Sequence, residues 1–364
     1  MRNKNELSVL FVPFGLSQVA ASRYRVFQYL PYLSEKKIKY KVFSSISQWA
    51  TKEMIHSSEF GRIRKFIYYA QLMAERLFRF WVILILAFRY RIVFFQRATF
   101  PFSLEKLVKR VNKNIIFDID DSIYMPDKEE DGFMGDLKRY IKKQEVISIL
   151  KVSRCVIVEN GHIKNFVQKY CNKIYLITGP IDTVKNYPRR NSQNSDEVII
   201  GWIGSPSTTV YLKMLDGALK QLSNKYKIKL YLIGAGNYAL EGVNVEMAAW
   251  SEETEVSKLH EFDIGVMPMP DNEWTRGKVG CKMLQYMANA IPAVVSYTPT
   301  NAEIIEDGVN GFLAKSDEEW VQKLSRLIED SELRERTGLN GRKTTEERYS
   351  LEVNAPKFLN ILML

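Results

Sequence analysis

Two Rossmann-like α/β domains facing each other across a cleft are what this sequence predicts, and three observations carry that prediction. The chain has 364 residues, more than the about 250 to 300 that a single hydrophobic core usually serves. Short apolar runs alternate with stretches of helical spacing along most of its length, the pattern of repeated strand-helix units. Between residues 179 and 196 that pattern stops: PIDTVKNYPRRNSQNSD is polar, carries two prolines and has no periodicity. A first domain is therefore expected at 1–178, a linker at 179–196 and a second domain at 197–349.

In the first domain, Ser8 to Phe14 reads as a strand and Ser17 to Leu33 as a helix, with Tyr24, Phe27, Leu30 and Leu33 at helical spacing. Ligands gather at the carboxyl ends of parallel strands, so the joining loop places Ser22, Arg23 and Arg25 near the cleft. Arg23 and Arg25 cannot share a helical face, and at most one is expected to reach an acceptor. Tyr40 to Ser44 is a second strand, followed by a long helical stretch, Phe60 to Phe88. Its core FWVILILAF, Phe80 to Phe88, is shorter than the about 20 residues a bilayer span needs. Arg76, Arg79, Arg89 and Arg91 border it. Two readings stand: an interfacial helix whose cations meet anionic lipid, or a core helix with snorkelling arginines.

Arg91 to Gln96 is a third strand, and Asn114 to Phe117 a fourth that runs into DIDDSIY. Asp118, Asp120 and Asp121 thus sit at a strand's carboxyl end. They could chelate a divalent metal, and could equally contact an acceptor or act as acid and base or cap a following helix. Asp136 to Leu150 is an amphipathic helix; Arg154 to Glu159 and Tyr175 to Thr178 are strands.

The second domain opens with Val198 to Ile203, a buried strand, and GSPSTT before a helix from about Val210 to Leu222. Gly204, Ser205, Ser207 and Thr208 make a glycine and hydroxyl loop whose backbone N–H groups can cradle phosphate. No Gly-x-Gly-x-x-Gly follows and no P-loop Lys is present, which argues against nicotinamide cofactors and ATPases. Lys229 to Ile233 and Val243 to Met247 are further strands, the latter leading to Trp250. Ile264 to Met269 and Ile291 to Ser296 then bracket a helix, Lys278 to Ala290. Arg276, Gly277, Lys278 and Gly280 lie where that helix begins, the end that favours anions. Lys282 and Gln285 share one face, while Cys281, Leu284 and Ala288 lie on a face that can pack on the sheet. A nucleotide diphosphate with a ribose beyond it suits this spot; the alternative is a solvated basic loop ahead of a packed helix. Asp317 to Leu327 and Glu329 to Arg348 are helices, and the chain ends amphipathically.

Composition narrows the function classes. Hydrophobic residues make up 46% and charged residues 26%, a globular balance without repeats. Three cysteines and three histidines, all scattered, suggest neither a disulfide framework nor a zinc site, which fits a reducing cytoplasm. The N-terminus has no cleavage pattern, so a signal peptide is not expected. The net charge of +10 is uneven: residues 1–180 hold 31 Lys+Arg against 16 Asp+Glu, and the remainder 21 against 26. An anionic surface is the partner such asymmetry suggests, with solubility alone as the plainer account. The lack of a basic aromatic RNA motif directs that expectation to phospholipid, not nucleic acid.

The run RGKVGCKMLQYMANAIPAVVS, with NAEIIEDGVNGFL after it, resembles the donor-binding region of family 4 glycosyltransferases. These are retaining enzymes of the two-domain GT-B fold. The family usually carries two glutamates eight residues apart; here Gly277 and Gln285 hold those positions, and a branch with Lys-x-x-Gln before Tyr-Met-Ala is similar to Lys282, Gln285 and Tyr286. The resemblance implies sugar transfer from a nucleotide-diphosphate sugar to a glycan or lipid-linked acceptor in cell-surface polysaccharide synthesis. The scattered cysteines and the basic first half lead to the expectation of a cytoplasmic protein, peripheral on the inner face of the membrane, while the resemblance implies no cofactor and no required metal. Within it, Lys282 is the first choice to meet diphosphate charge, followed by Lys278 and Arg276, then Ser205 and Ser207. Gln285 would meet the ribose, Glu303 the sugar side and Trp250 the base. Asp118, Asp120 and Asp121 would serve the acceptor or catalytic cleft first, with helix capping second and metal chelation third, and a helix at about 350–364 would cross back onto the first domain. A non-catalytic sugar-nucleotide-binding or scaffold protein of a glycan assembly is the competing reading.

Overall fold

The computed structural model describes residues 7–56, 60–125, 133–188 and 196–364. Residues 189–195, the middle of the expected linker, lie outside the described residues. The chain divides into two compact units, Met1–Thr178 with Ala355–Leu364, and Gly179–Asn354.

The first unit holds a six-stranded parallel sheet: β1 (Ser8–Pro13), β2 (Lys39–Val42), β3 (Ile92–Gln96), β4 (Ile115–Ile119), β5 (Cys155–Val158) and β6 (Ile174–Leu176), in the order β2-β1-β3-β4-β5-β6. Strands β3, β4 and β5 are buried along their whole length, as expected when helices cover both faces of a parallel sheet. The order reverses between β1 and β3, so the crevice beyond their carboxyl ends is this sheet's natural ligand position.

The helix expected over Ser17 to Leu33 is broken. Ala20–Arg25 is followed by a 3-10 turn at Phe27–Tyr29 and a new helix, Leu30–Glu35. Pro31 sits in the first turn of that last helix, where its missing N–H costs nothing. Near the C-terminus, the helix Leu351–Met363 contributes Phe358, whose ring stacks 4.1 Å from that of Tyr29 in the first unit's core.

The long helix is Arg62–Ala87. Tyr68, Phe80, Ile83 and Ala87 are buried beneath it. On the opposite side Ile63, Ile67, Phe78, Trp81, Ile85 and Phe88 are all exposed, at intervals that Ala70 and Ala74 complete into one stripe of three- and four-residue steps. The arginines expected to meet lipid do not all point that way. Arg76 Nη2 donates to Thr99 O at 2.6 Å, and Arg79 Nε donates to Ser44 O at 2.9 Å, because carbonyls at the sheet's end need donors more than the surface needs charge. Arg89 is exposed.

The second unit holds another six-stranded parallel sheet, ordered β12-β11-β10-β7-β8-β9. Its strands are β7 (Val198–Ile203), β8 (Ile228–Ile233), β9 (Asn244–Ala248), β10 (Ile264–Met267), β11 (Ala293–Ser296) and β12 (Phe312–Ala314). Here the order reverses between β7 and β10. Helices Asp317–Glu329 and Ser331–Thr344 close the unit, and residues before the second sheet join it through a bridge from Ile181 to Ser350.

Candidate active site

The second unit's reversal point brings together Gly204, the turn with Ser205 and Ser207, and Lys282 from the donor residues read from the sequence. Gly204 follows strand β7 directly, and its N–H donates to Ile233 O at 2.9 Å. A side chain at Gly204 would collide with the Trp202 ring and place its Cβ 2.5 Å from Lys282 Nζ, so glycine leaves the space the ammonium fills. Ser205 then starts the 3-10 helix Pro206–Leu215. Its Oγ lies 3.0 Å from Ser207 Oγ, and both hydroxyls are exposed at the turn. At Gly234, φ is +71°, and a Cβ there would meet Gly204 O at 2.5 Å. The two strand-end loops approach this closely only through glycine.

Lys282 comes from the helix Cys281–Ala288, with Gly280 just before it. Tyr286 ties this helix to the sheet: its hydroxyl donates to Val266 O at 3.2 Å and accepts from Ile203 N at 3.1 Å. So fixed, the helix aims Lys282 Nζ over the Trp202 ring at 4.0 Å from its centroid, and Nζ donates to Thr208 Oγ1 at 3.3 Å. Among the described residues no carboxylate lies within ion-pair range of it. Removal from water, with a smaller contribution from Lys278, lowers the Lys282 pKa from 10.5 to about 7. An ammonium in this state is stabilised by an arriving anion more than a solvated one would be.

Other expected donor residues stand differently. Arg276 is claimed by Asp271, with Nε to Oδ1 at 2.7 Å and Nη2 to Oδ2 at 3.1 Å, a bidentate pair that satisfies its charge. Lys278 packs over the Trp274 ring at 4.8 Å. Gln285 is buried, as are Leu284 and Ala288, while Cys281 is only partly so. Glu303 is exposed beyond the helix Pro299–Ala302. Trp250 Nε1 donates to Glu255 Oε2 at 2.5 Å, which orients the indole without burying it fully.

In the first unit, the expected acceptor-side residues form a buried charge cluster. Arg25 is 2% exposed and grips Asp118 through Nε to Oδ1 at 3.0 Å and Nη2 to Oδ2 at 2.6 Å, while Nη1 donates to Ile177 O. It therefore does not present its guanidinium to an acceptor, as the sequence reading expected; of the two arginines, Arg23 is the more open one. Asp118 is itself buried, and burial pushes its carboxyl up to about 6 although Arg25 opposes the shift. Its first-ranked reading as a cleft contact gives way to pairing, since a carboxylate with no water around it needs a guanidinium. Arg97 gathers the other two: Nη2 donates to Asp121 Oδ2 at 2.7 Å, and Nε lies 3.2 Å from Asp120 Oδ1. Arg97 has φ 54°, a left-handed conformation unusual for a side-chain-bearing residue. Glu159, directly after β5, was read only as a strand end; it is buried here, and burial first, then the neighbouring aspartates, raises its pKa well above the ordinary value. Its lone apolar context in VIVEN was the only signal.

Over 98% of both chains the structure matches a glycosyltransferase from Rickettsia africae, with TM-score 0.69 and 15% identity. It also matches a sucrose-phosphate synthase from Thermosynechococcus elongatus over 98% of both chains, with TM-score 0.65 and 14% identity. A third likeness, TM-score 0.65 and 14% identity over 99% of this chain and 100% of the other, is to the Anabaena protein HepE in complex with UDP and glucose. The fold is GT-B. Residues 197–330 match the family model "Glycosyl transferases group 1", so the resemblance read from residues 276–313 is borne out and, with the fold, supports a transferase enzyme. Comparison with curated protein sequences gives no match.

Proposed function

We propose that the protein is a retaining glycosyltransferase that moves a sugar from a nucleotide-diphosphate sugar to a glycan or lipid-linked acceptor at an anionic membrane surface, in cell-surface polysaccharide synthesis. The observation that carries the donor assignment is the Lys282 ammonium, held without a carboxylate beside the Gly204 turn. As the bond from the anomeric carbon to phosphate breaks, its electron pair goes to the departing diphosphate. Lys282 and the exposed hydroxyls of Ser205 and Ser207 stabilise that charge. The acceptor hydroxyl oxygen forms the new bond to the anomeric carbon, and its proton passes to the departing diphosphate. Gln285 and Trp250 are assigned to ribose and base, and Glu303 to the sugar.

Asp118, Asp120 and Asp121 already answer two guanidiniums, which leaves them poor metal ligands, so transfer is proposed to need no metal. Activity that EDTA abolishes and Mg²⁺ or Mn²⁺ restores would overturn this. Among the described residues no helix is long and apolar enough to cross a membrane. The exposed stripe from Ile63 to Phe88, about 39 Å long at 1.5 Å per residue, supports peripheral attachment instead.

Incubation with a panel of sugar nucleotides tests the reading, slow hydrolysis of one donor being the expected result. Tight nucleotide binding without turnover of any donor, with acceptor extracts present, would favour the sugar-nucleotide-binding or scaffold reading, which Gly277 at a usual glutamate position keeps in view.

A further inference from the structure

The first unit carries a pocket that the donor chemistry does not use. It has a volume of about 70 Å³ and opens where β1 and β3 end, at the reversal of strand order where open parallel sheets place ligands. Arg76, Arg97 and Lys142 are among its nine lining residues, and none of the nine is acidic. Phe14 and Tyr68 supply apolar wall.

The three cations are not equally spent. Arg97 answers Asp120 and Asp121. Arg76 donates only to the Thr99 carbonyl and has no carboxylate in ion-pair range among the described residues. Lys142 Nζ donates to Thr99 Oγ1 at 2.9 Å, which in turn donates to Glu145 Oε2 at 2.9 Å, while Glu145 stands 3.8 Å from the ammonium. Burial outweighs Glu145 and, with Arg76 and Arg97, lowers the Lys142 pKa to about 8. The lining thus presents three cationic side chains and no carboxylate, with Asp120, Asp121 and Glu145 outside it, around a space the size of one compact anion.

We propose that this pocket binds a phosphate group carried by the acceptor, with Arg76 and Lys142 as its principal contacts and Arg97 behind them. Calling the ligand an acceptor rests on the transferase reading; the anion site itself does not. A guanidinium offers paired donors to phosphate oxygens and an ammonium a compact charge, the combination that recognises a tetrahedral anion. The phosphate can come from a lipid headgroup or from a soluble phosphorylated glycan.

The test uses the full chain saturated with UDP, so that the second unit's phosphate position is filled, titrated calorimetrically with inorganic phosphate, glycerol 3-phosphate and dihexanoyl phosphatidic acid. All three are expected to bind, and Lys142→Gln and Arg76→Gln each to weaken them at least tenfold. Lys142 reaches the surface, so Lys142→Gln carries the test even where Arg76→Gln, having lost its bond to Thr99, fails to fold. Phosphatidic acid binding at least tenfold tighter than glycerol 3-phosphate assigns the lipid source; equal affinity assigns the soluble one. Wild-type affinity in the folded Lys142→Gln protein, or no binding of any of the three to a wild-type protein that binds UDP, overturns the pocket. Failure of UDP to bind, with phosphate binding that Lys142→Gln abolishes, overturns the donor reading and leaves the pocket standing.

Discussion

Lys282 Nζ stands 4.0 Å from the centroid of the Trp202 ring and 3.3 Å from Thr208 Oγ1, three groups brought together by the end of one strand and the starts of two helices. The indole face compensates part of the ammonium's lost hydration without neutralising it. An oriented donor that is already desolvated pays little reorganisation as charge develops on a leaving group.

Lys282→Ala is therefore expected to lower kcat/KM by about 10², since one such donor contributes roughly 3 kcal/mol to the transition state. Binding of free nucleoside diphosphate should weaken by less. Near-wild-type turnover by a folded Lys282→Ala protein would refute the assignment.

The titration of Lys282 predicts proton uptake on binding. With a pKa of about 7 in the free protein, the side chain is mostly neutral at pH 8.5, and a diphosphate must restore its proton. Affinity should fall roughly tenfold per pH unit above 7 until the bound-state pKa is reached. The unfolded chain holds this proton up to 10.5, so the free protein should also gain stability as pH rises from about 7 toward 10.5. Calorimetry at pH 8.5 in buffers of different ionisation enthalpy should show uptake of about one proton, absent in Lys282→Met; no uptake by the wild type would contradict the protonation scheme.

Arg25 and Asp118 make a separable stability prediction. Arg25→Met leaves a buried carboxylate without its guanidinium and should cost about 3–5 kcal/mol in urea unfolding. Glu159 behaves oppositely. Its raised pKa means that ionisation is unfavourable in the folded state, a cost that grows as pH rises above its ordinary 4.5. Glu159→Gln should thus stabilise the protein at pH 8 and change little at pH 4. Destabilisation at pH 8 would show that the ionised carboxylate is needed by its neighbours.

The stripe on the long helix predicts where a membrane would be met. Replacing Ile67, Phe78 and Trp81 by Ser removes exposed apolar surface, so folding should be spared while sedimentation with phosphatidylglycerol vesicles is lost. Wild-type binding should weaken with salt, because Arg64, Lys65 and Arg89 flank the stripe and their attraction is screened. A triple variant that still sediments at low salt would move the contact elsewhere.

The sequence by itself determined the two α/β units, most strands to within a few residues, and the loop and helix that carry Gly204 and Lys282. Those features are written locally: an apolar run marks a strand covered on both faces, and glycines beside hydroxyls mark a turn at a helix start. Three things were decided only by the tertiary structure. Arg25 found Asp118, 93 positions away, because the helix Ala20–Arg25 and the strand β4 bring both side chains out of water together. Arg76 and Arg79 turned inward to unsatisfied carbonyls although their surroundings read as a lipid-facing border. Trp202 became the floor under Lys282, a role that its place in an apolar strand did not announce. Periodicity reports how buried a residue will be, since burial is a property of one face of one element. It does not report which partner a buried charge will take, since that depends on which strand ends the topology sets side by side.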